Sequence, residues 1–211
     1  KPIDESIRLT NLISYKKIVE QHSKLLHNIG VIDCVKESGY FEQSTKSIKL
    51  LFRYPLIIQK LTILEQRLPD SFSRSLSTSC LALGVCKELN LSAEVTESIF
   101  IANFISDVGL LHLDPIIINK VESYTAKEWE MMQGHVVIAK FFSDQVPMLS
   151  SQISRALLEH HERMDGFGYP FGKKASELSI EGQVLAIVDK VYGLAKKYIR
   201  NGTYSWHCII H

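Results

Sequence analysis

The run SIFIANFISDVGLLHLDPIIIN, from Ser98 to Asn119, constrains the fold more than any other part of the chain. It is too apolar for a solvated surface, yet Asn103, Asp107, Asp114 and Pro115 interrupt it at positions that would be costly in a bilayer. Its place is a protein core rather than a membrane. A chain of 211 residues with 45% hydrophobic content is long enough to enclose that core in one or two globular units.

The periodicity around this segment is helical. In DESIRLTNLISYKKIVEQHSKLLHNIG, Ile7, Leu9, Leu12, Ile13, Ile18 and Val19 recur at helical spacing, with Gly30 as a stop. QSTKSIKLLFRYPLIIQKLTILEQRL reads as a second helical stretch in which Pro55 is a kink or a boundary. Pro69 and Asp70 mark the best internal break, near residues 67–71. The division expected is an N-terminal helical subdomain over residues 1–68 and a second unit over 69–211.

Beyond the break, SFSRSLSTSCLALGVCKELN and SAEVTESIFIANFISD form two more helices, the second with Ser92 as N-cap. Thr125 and Glu128 form a capping box that opens a helix carrying His135. Another helix runs from about Ser150 to Arg163, and IEGQVLAIVDKVYGLAKKYI supplies the last, with Leu185, Val188, Val191 and Leu194 on a buried face. No run of alternating strands is visible, so the fold class is all-α.

Lys+Arg of 24 against Asp+Glu of 23 gives a formal charge of +1. That leaves no whole-protein field to attract long nucleic acid or an acidic membrane, while a small phosphate ligand remains compatible with a few local groups. Cys34, Cys80, Cys86 and Cys208 lack C-x-x-C spacing and read as reduced thiols of a cytoplasmic protein. No membrane span or signal peptide is visible. The chain starts at Lys1 rather than Met, as a piece of a longer protein would, so targeting is not readable.

Two carboxylates interrupt apolar faces: Asp107, at the end of a very hydrophobic helix, and Asp189, inside VLAIVDKV. Each needs a cation or strong donors if it is buried. His135, His160 and His161 supply nitrogen on two other helices, so four helices can converge on one mixed site. Adjacent imidazoles on a helix point about 100° apart, which argues against His160 and His161 serving one point in the same way. Imidazole with carboxylate suits iron, manganese or zinc better than calcium or magnesium. Taken singly, each histidine is more often a hydrogen-bonded core or surface residue than a ligand.

The string HHERMDGFGYP, from His160 to Pro170, resembles the HHE-x-x-D-G-x-G-Y-P signature of the HD-GYP domain, a branch of the HD metal-dependent phosphohydrolases. The resemblance extends over roughly residues 70–200 through SDVGLLHLDPIIINK, YTAKEWEMMQGH and GQVLAIVDKVYGLA. It implies a helical bundle with a two- or three-metal centre, usually iron or manganese, at which an activated hydroxide cleaves cyclic di-GMP to pGpG or GMP. Carried over, Asp107 is the catalytic, metal-bridging carboxylate. His135, His160, His161 and Asp189 are the other metal ligands, and Gly166, Gly168, Tyr169 and Pro170 form the recognition loop.

The departures from the pattern gather in one half of that centre. The histidine expected before Asp107 is Ser106. Aligned on the L-x-L step at Leu89 and Leu91, the upstream histidine is Arg74, a permanent cation. The lysine expected after the motif is Leu110, with His112 two residues along as a candidate substitute. The second aspartate of the last helix is replaced near Tyr192, and the basic residues beyond it correspond to the displaced Lys196, Lys197 and Arg200.

Two outcomes follow. Either one divalent metal persists in the retained half, or Arg74 replaces metal charge and none is bound. The leading expectation is a degenerate HD-GYP-like module of bacterial cyclic di-GMP signalling. It would bind a cyclic dinucleotide or a partner protein and have little or no phosphodiesterase activity. The alternatives are an active phosphodiesterase with an altered centre and a purely structural interaction domain.

Overall fold

The computed structural model describes residues 51–147 and 149–200, together with Glu20, Lys46, Ile48 and Lys49; for Phe52 and residues 196–200 it describes the backbone alone. The expected first helix and its stop at Gly30, Cys34, Cys208, and the side chains of Lys196, Lys197 and Arg200 lie outside the described residues. Among the described residues the architecture is all-α, with one isolated backbone bridge between Asp165 and Lys174. No helix among them is long and apolar enough to cross a membrane.

Prolines set the first two helix starts. Pro55 opens α1 (Pro55–Arg67) after a 3-10 turn over Leu51–Arg53, so it is a boundary rather than a kink. Pro69 opens α2 (Pro69–Glu88) one residue after α1 ends. A proline at the first helical position gives up an amide that had no partner there anyway. Most of the expected N-terminal subdomain, residues 1–68, lies outside the described residues. Its last part, from Leu51, packs Ile57, Ile58, Leu61 and Leu64 into the same core as the helices that follow.

α2 buries an unusually polar face. Ser77, Thr78 and Ser79 donate to carbonyls one turn back, on Ser73, Arg74 and Ser75, at 2.7, 3.0 and 2.7 Å. A hydroxyl satisfied by its own helix can leave water at little cost. α3 (Ala93–Ile105) is capped by Ser92, which accepts from the Val95 amide at 3.3 Å. It is buried continuously from Ser98 to Ile105, as a helix apolar on all sides must be. Phe104 lies between Phe72 and Phe100, with ring centroids 5.8 and 5.9 Å away.

A 3-10 turn over Ser106–His112 follows directly, and Asp114 caps the short α4 (Pro115–Ile118). α5 (Ala126–Asp144) starts at the expected capping box, with Thr125 and Glu128 exchanging backbone hydrogen bonds at 3.3 and 2.7 Å. α6 (Ser151–Glu159) is shorter than the sequence suggests: it ends before His160, not near Arg163. The long α7 (Ile180–Arg200) closes the bundle against α2, α3 and α6. Cys80 and Cys86 are free thiols that burial pushes up to about 12 and about 11, so neither is a reactive thiolate.

The start of α5 gives a pH test. The hydrogen bond from Lys120, with those from Thr125, lowers Glu128 from its ordinary 4.5 to about 2. A carboxylate held low in the folded state releases its proton more readily there than in the unfolded chain. Its stabilisation is therefore present above pH 4.5 and lost as pH falls toward about 2. We expect Glu128→Gln to flatten that part of the acid limb in urea unfolding, and high salt to shrink the difference because the pair is partly solvated. Parallel acid limbs in the two proteins would refute it.

Candidate functional site

Six elements converge on one cavity of about 1030 Å³. Arg74 reaches it from α2, Asp107 from the 3-10 turn, His135 from α5, His160 and His161 from the end of α6, Tyr169 from the loop that follows, and Asp189 from α7. Gly109 marks a tight backbone approach between two of them. A Cβ built on it would lie 2.0 Å from the His135 carbonyl oxygen. The turn that carries Asp107 can thus press directly on the α5 backbone at His135.

Asp107 is 1% exposed, and its needs are met by Arg74. The guanidinium donates through Nε to Oδ2 at 3.1 Å and through Nη2 to Oδ1 at 2.8 Å, a two-pronged contact, while Ser75 Oγ stands 3.4 Å from Oδ2. Nη1 of the same guanidinium is 3.5 Å from Asp189 Oδ1. The charge of Asp107, against the cost of burial and with help from Asp189, raises Arg74 still further above its ordinary value. Burial alone would raise Asp189, but the hydrogen bond from His161 and the charge of Arg74 outweigh it and hold the carboxyl well below the usual range. Arg74 is a permanent cation between two anions.

The three histidines occupy the opposite wall. His135 Nδ1 lies 2.6 Å from the Met132 carbonyl and His160 Nδ1 lies 2.7 Å from the Leu157 carbonyl. A carbonyl can only accept, so each Nδ1 carries a proton and each neutral ring offers Nε2 as a lone pair. Those two Nε2 atoms face each other at 3.4 Å. Burial, with the neighbouring His161, pushes His135 down to about 4, and burial with His161 and His135 pushes His160 well below its ordinary value. Two opposed lone pairs that resist protonation are a donor set for a metal ion. His161 completes it: the ligand atoms of the three residues all lie within 4.8 Å of one another.

His160 and His161 both stand beside His135, so the adjacent imidazoles could reach one shared ion, which helical geometry argued against. α6 ends at Glu159, with His160 as its cap. The centroids of the two rings are 4.1 Å apart. His161 Nδ1 also lies 3.4 Å from Asp189 Oδ2, which places this carboxylate between the histidines and Arg74.

Two glutamates that the motif reading left without a role build the loop. Glu162, 2% exposed, accepts from the amides of Phe171 at 2.7 Å and Lys173 at 2.9 Å, folding residues 163–173 back on themselves. Glu159, fully buried, accepts from Arg155 at 3.0 Å, Lys173 Nζ at 2.7 Å and the Ser179 amide at 2.9 Å. The sequence displays both carboxylates and the Arg155–Glu159 spacing, but the donors from Phe171 to Ser179 lie far along the chain and leave no pattern. Gly168 closes the loop: a Cβ there would stand 2.3 Å from the Arg163 nitrogen. Gly166, at φ +81°, supplies the left-handed turn.

This folding seats Tyr169 on the histidines. Its amide donates to the His161 carbonyl at 3.1 Å, its ring centroid is 4.8 Å from that of His161, and Trp129 stands 5.6 Å away on its other side. Burial, reinforced by Asp189, pushes the Tyr169 phenol up. Gly168 and Tyr169 line the cavity, whereas Gly166 and Pro170 shape the loop without lining it. Leu110 lines it too, while His112 faces Lys60 at 3.4 Å on an exposed side and does not reach the centre. Ser106 turns its hydroxyl back to the Asn103 carbonyl at 2.9 Å.

Residues 60–205 match the family model described as the HD domain. The chain belongs to the HD domain family. Similar proteins include the 3'3'-cGAMP-specific phosphodiesterase 1 of Vibrio cholerae, 26% identical over 64% of this chain and 31% of that protein. A cyclic di-GMP phosphodiesterase of Pseudomonas aeruginosa is 23% identical over 75% of this chain and 37% of its own length. Another, from Thermotoga maritima, is 30% identical over 50% of this chain and 29% of its own. This HD domain chain thus spans about a third of the length of these relatives.

The close approach at Gly109 is testable in this HD domain. Gly109→Ala forces a methyl into the α5 backbone and should lower the unfolding free energy by about 1–3 kcal/mol, read from urea midpoints. An unchanged midpoint would show that turn and helix do not meet as described.

Proposed function

We propose that this HD domain is a regulatory or binding module of bacterial cyclic dinucleotide signalling, acting through ligand binding or protein contacts and with little or no phosphodiesterase activity. The similarity to cyclic di-GMP and 3'3'-cGAMP phosphodiesterases supports the ligand class. The observation that carries the loss of turnover is the two-pronged contact of Arg74 with Asp107. Hydrolysis of a phosphodiester at a multi-metal centre needs both a neutralised phosphate and an activated nucleophile. A second cation on Asp107 would sit against the guanidinium. Ser106 and Leu110, at the other altered positions, offer it no strong ligand.

One divalent ion fits the remaining half, held by His135, His160 and His161, and this donor set suits zinc, iron or manganese. Bound there, the ion supplies Lewis-acid attraction for a phosphate oxygen. The rest of the lining is acidic: Asp70, Asp107, Glu162, Asp165 and Asp189 outnumber Arg74, Arg163 and Lys190. Phosphate entry therefore depends on added positive charge at the histidines, while Arg74 keeps Asp107 and Asp189 from repelling the ligand at full strength. The intact histidine trio also supports a second reading, an active phosphodiesterase with an altered centre.

Metal analysis and turnover separate the two. Protein purified without chelator should carry at most one equivalent of iron, manganese or zinc. Its turnover of cyclic di-GMP or 3'3'-cGAMP should not exceed that of His160→Ala. Two equivalents, or metal-dependent turnover abolished by His160→Ala, would establish the enzyme instead. Replacing both altered positions, Arg74→His with Ser106→His, should raise the metal content by about one equivalent. No gain would show that Arg74 is not what keeps a second ion out.

A further inference from the structure

Trp129 is a large aromatic on the cavity wall that the metal-centred reading leaves unassigned, as it does Tyr124 and Phe167, and it is held from several sides. It stands in the first turn of α5, where the capping box of Thr125 with Glu128 and the Lys120–Glu128 ion pair fix the helix start. Tyr124 leans on one side of it with ring centroids 6.0 Å apart, and Tyr124 is itself tied down by its hydroxyl, which donates to the Ile117 carbonyl at 3.1 Å. Tyr169 meets it at 5.6 Å in an edge arrangement of 78°. Despite this bracing, Trp129 remains 43% exposed.

Its position relative to the centre has a chemical consequence. Trp129, Met132 and His135, spaced by three residues, climb one side of α5 and all line the cavity, from the mouth to the histidine cluster. Tyr169 bridges Trp129 to His161 through ring contacts. A phosphodiester held at the histidine end has its base one sugar away, and the Trp129 wall offers that base an aromatic surface within the same cavity. A rigid, partly open indole loses little conformational freedom when a flat ring settles on it.

We propose that Trp129 is the stacking platform for a purine base of the cyclic dinucleotide, and so a binding and specificity residue of this site. This rests on the proposed function and narrows it: the phosphate end confers charge dependence, whereas the Trp129 wall distinguishes a nucleotide from any other phosphodiester. Stacking of a base on an aromatic side chain is sequence-tolerant in general, so Trp129 favours large ring area over one hydrogen-bond pattern.

The test uses the full chain loaded with manganese, with cyclic di-GMP as probe. The chain has two tryptophans, and Trp206→Phe leaves Trp129 as the sole indole emitter. In that background cyclic di-GMP should quench the fluorescence along the same saturation curve that calorimetry gives. Trp129→Ala should weaken binding roughly 5- to 150-fold, while Trp129→Phe stays within about threefold of the parent. Heat of binding without quenching, or wild-type affinity in Trp129→Ala, would overturn the platform and leave the proposed function standing. Should Trp129→Ala fail to fold, quenching in the parent decides alone. Absence of binding heat in the parent would overturn the proposed ligand class, and the platform with it.

Discussion

A carboxylate taken almost wholly out of water must have a cation beside it, and in this chain the cation for Asp107 is the guanidinium of Arg74. The rest of the centre is arranged around that pair. Asp107 is placed by a turn that presses on α5 at Gly109, and the same α5 residue whose carbonyl receives that pressure is His135. Arg74 extends from α2 far enough to reach Asp189 on α7 as well, so one side chain spans three elements. Removing one partner of a buried charge pair costs more than the pair contributes, which makes both residues hard to change independently.

A guanidinium and a metal ion neutralise carboxylates by different physics. Arg74 is covalently tethered, always charged and unable to accept a lone pair, so it neither exchanges nor polarises a bound oxygen. It satisfies the electrostatics of a buried acid while contributing nothing to nucleophile activation. The histidine wall has the opposite character. Its Nδ1 protons are committed to backbone carbonyls of the same helices, its Nε2 atoms point at each other, and burial disfavours the proton that would otherwise relieve them. One wall is complete as it stands and the other calls for an ion.

The helical class, the capping box at Thr125 and the Ser92 cap were legible in the sequence because each rests on local spacing, whereas grouping Asp107, His135, His160, His161 and Asp189 drew on the family resemblance. What was not legible depended on where a helix stops. α6 ends before His160 rather than near Arg163, and the ring centroids of His160 and His161 lie 4.1 Å apart. Periodicity cannot reveal that early end, since the signature residues continue without a break. Glu159 and Glu162 were visible as residue types, but their partners are mainly amides and a lysine from Phe171 to Ser179, and backbone donors carry no sequence identity. Trp129 was hidden for a different reason: an aromatic in a helix reads as core, and only the bundle geometry leaves it open at a cavity mouth.

Charge in the cavity links these parts to function. The charged side chains that meet one another at the centre are Arg74, Asp107 and Asp189, while Glu162 is bonded to backbone amides and Arg163 turns to Asp165. Two anions with one cation repel a dianionic ligand in a low-dielectric pocket. A divalent ion held by the histidines would offset that charge from the side of Asp189 that faces His161. On the proposed reading, a guanidinium standing where a metal ligand is expected leaves the histidine set free to draw in phosphate, so turnover and recognition are separable.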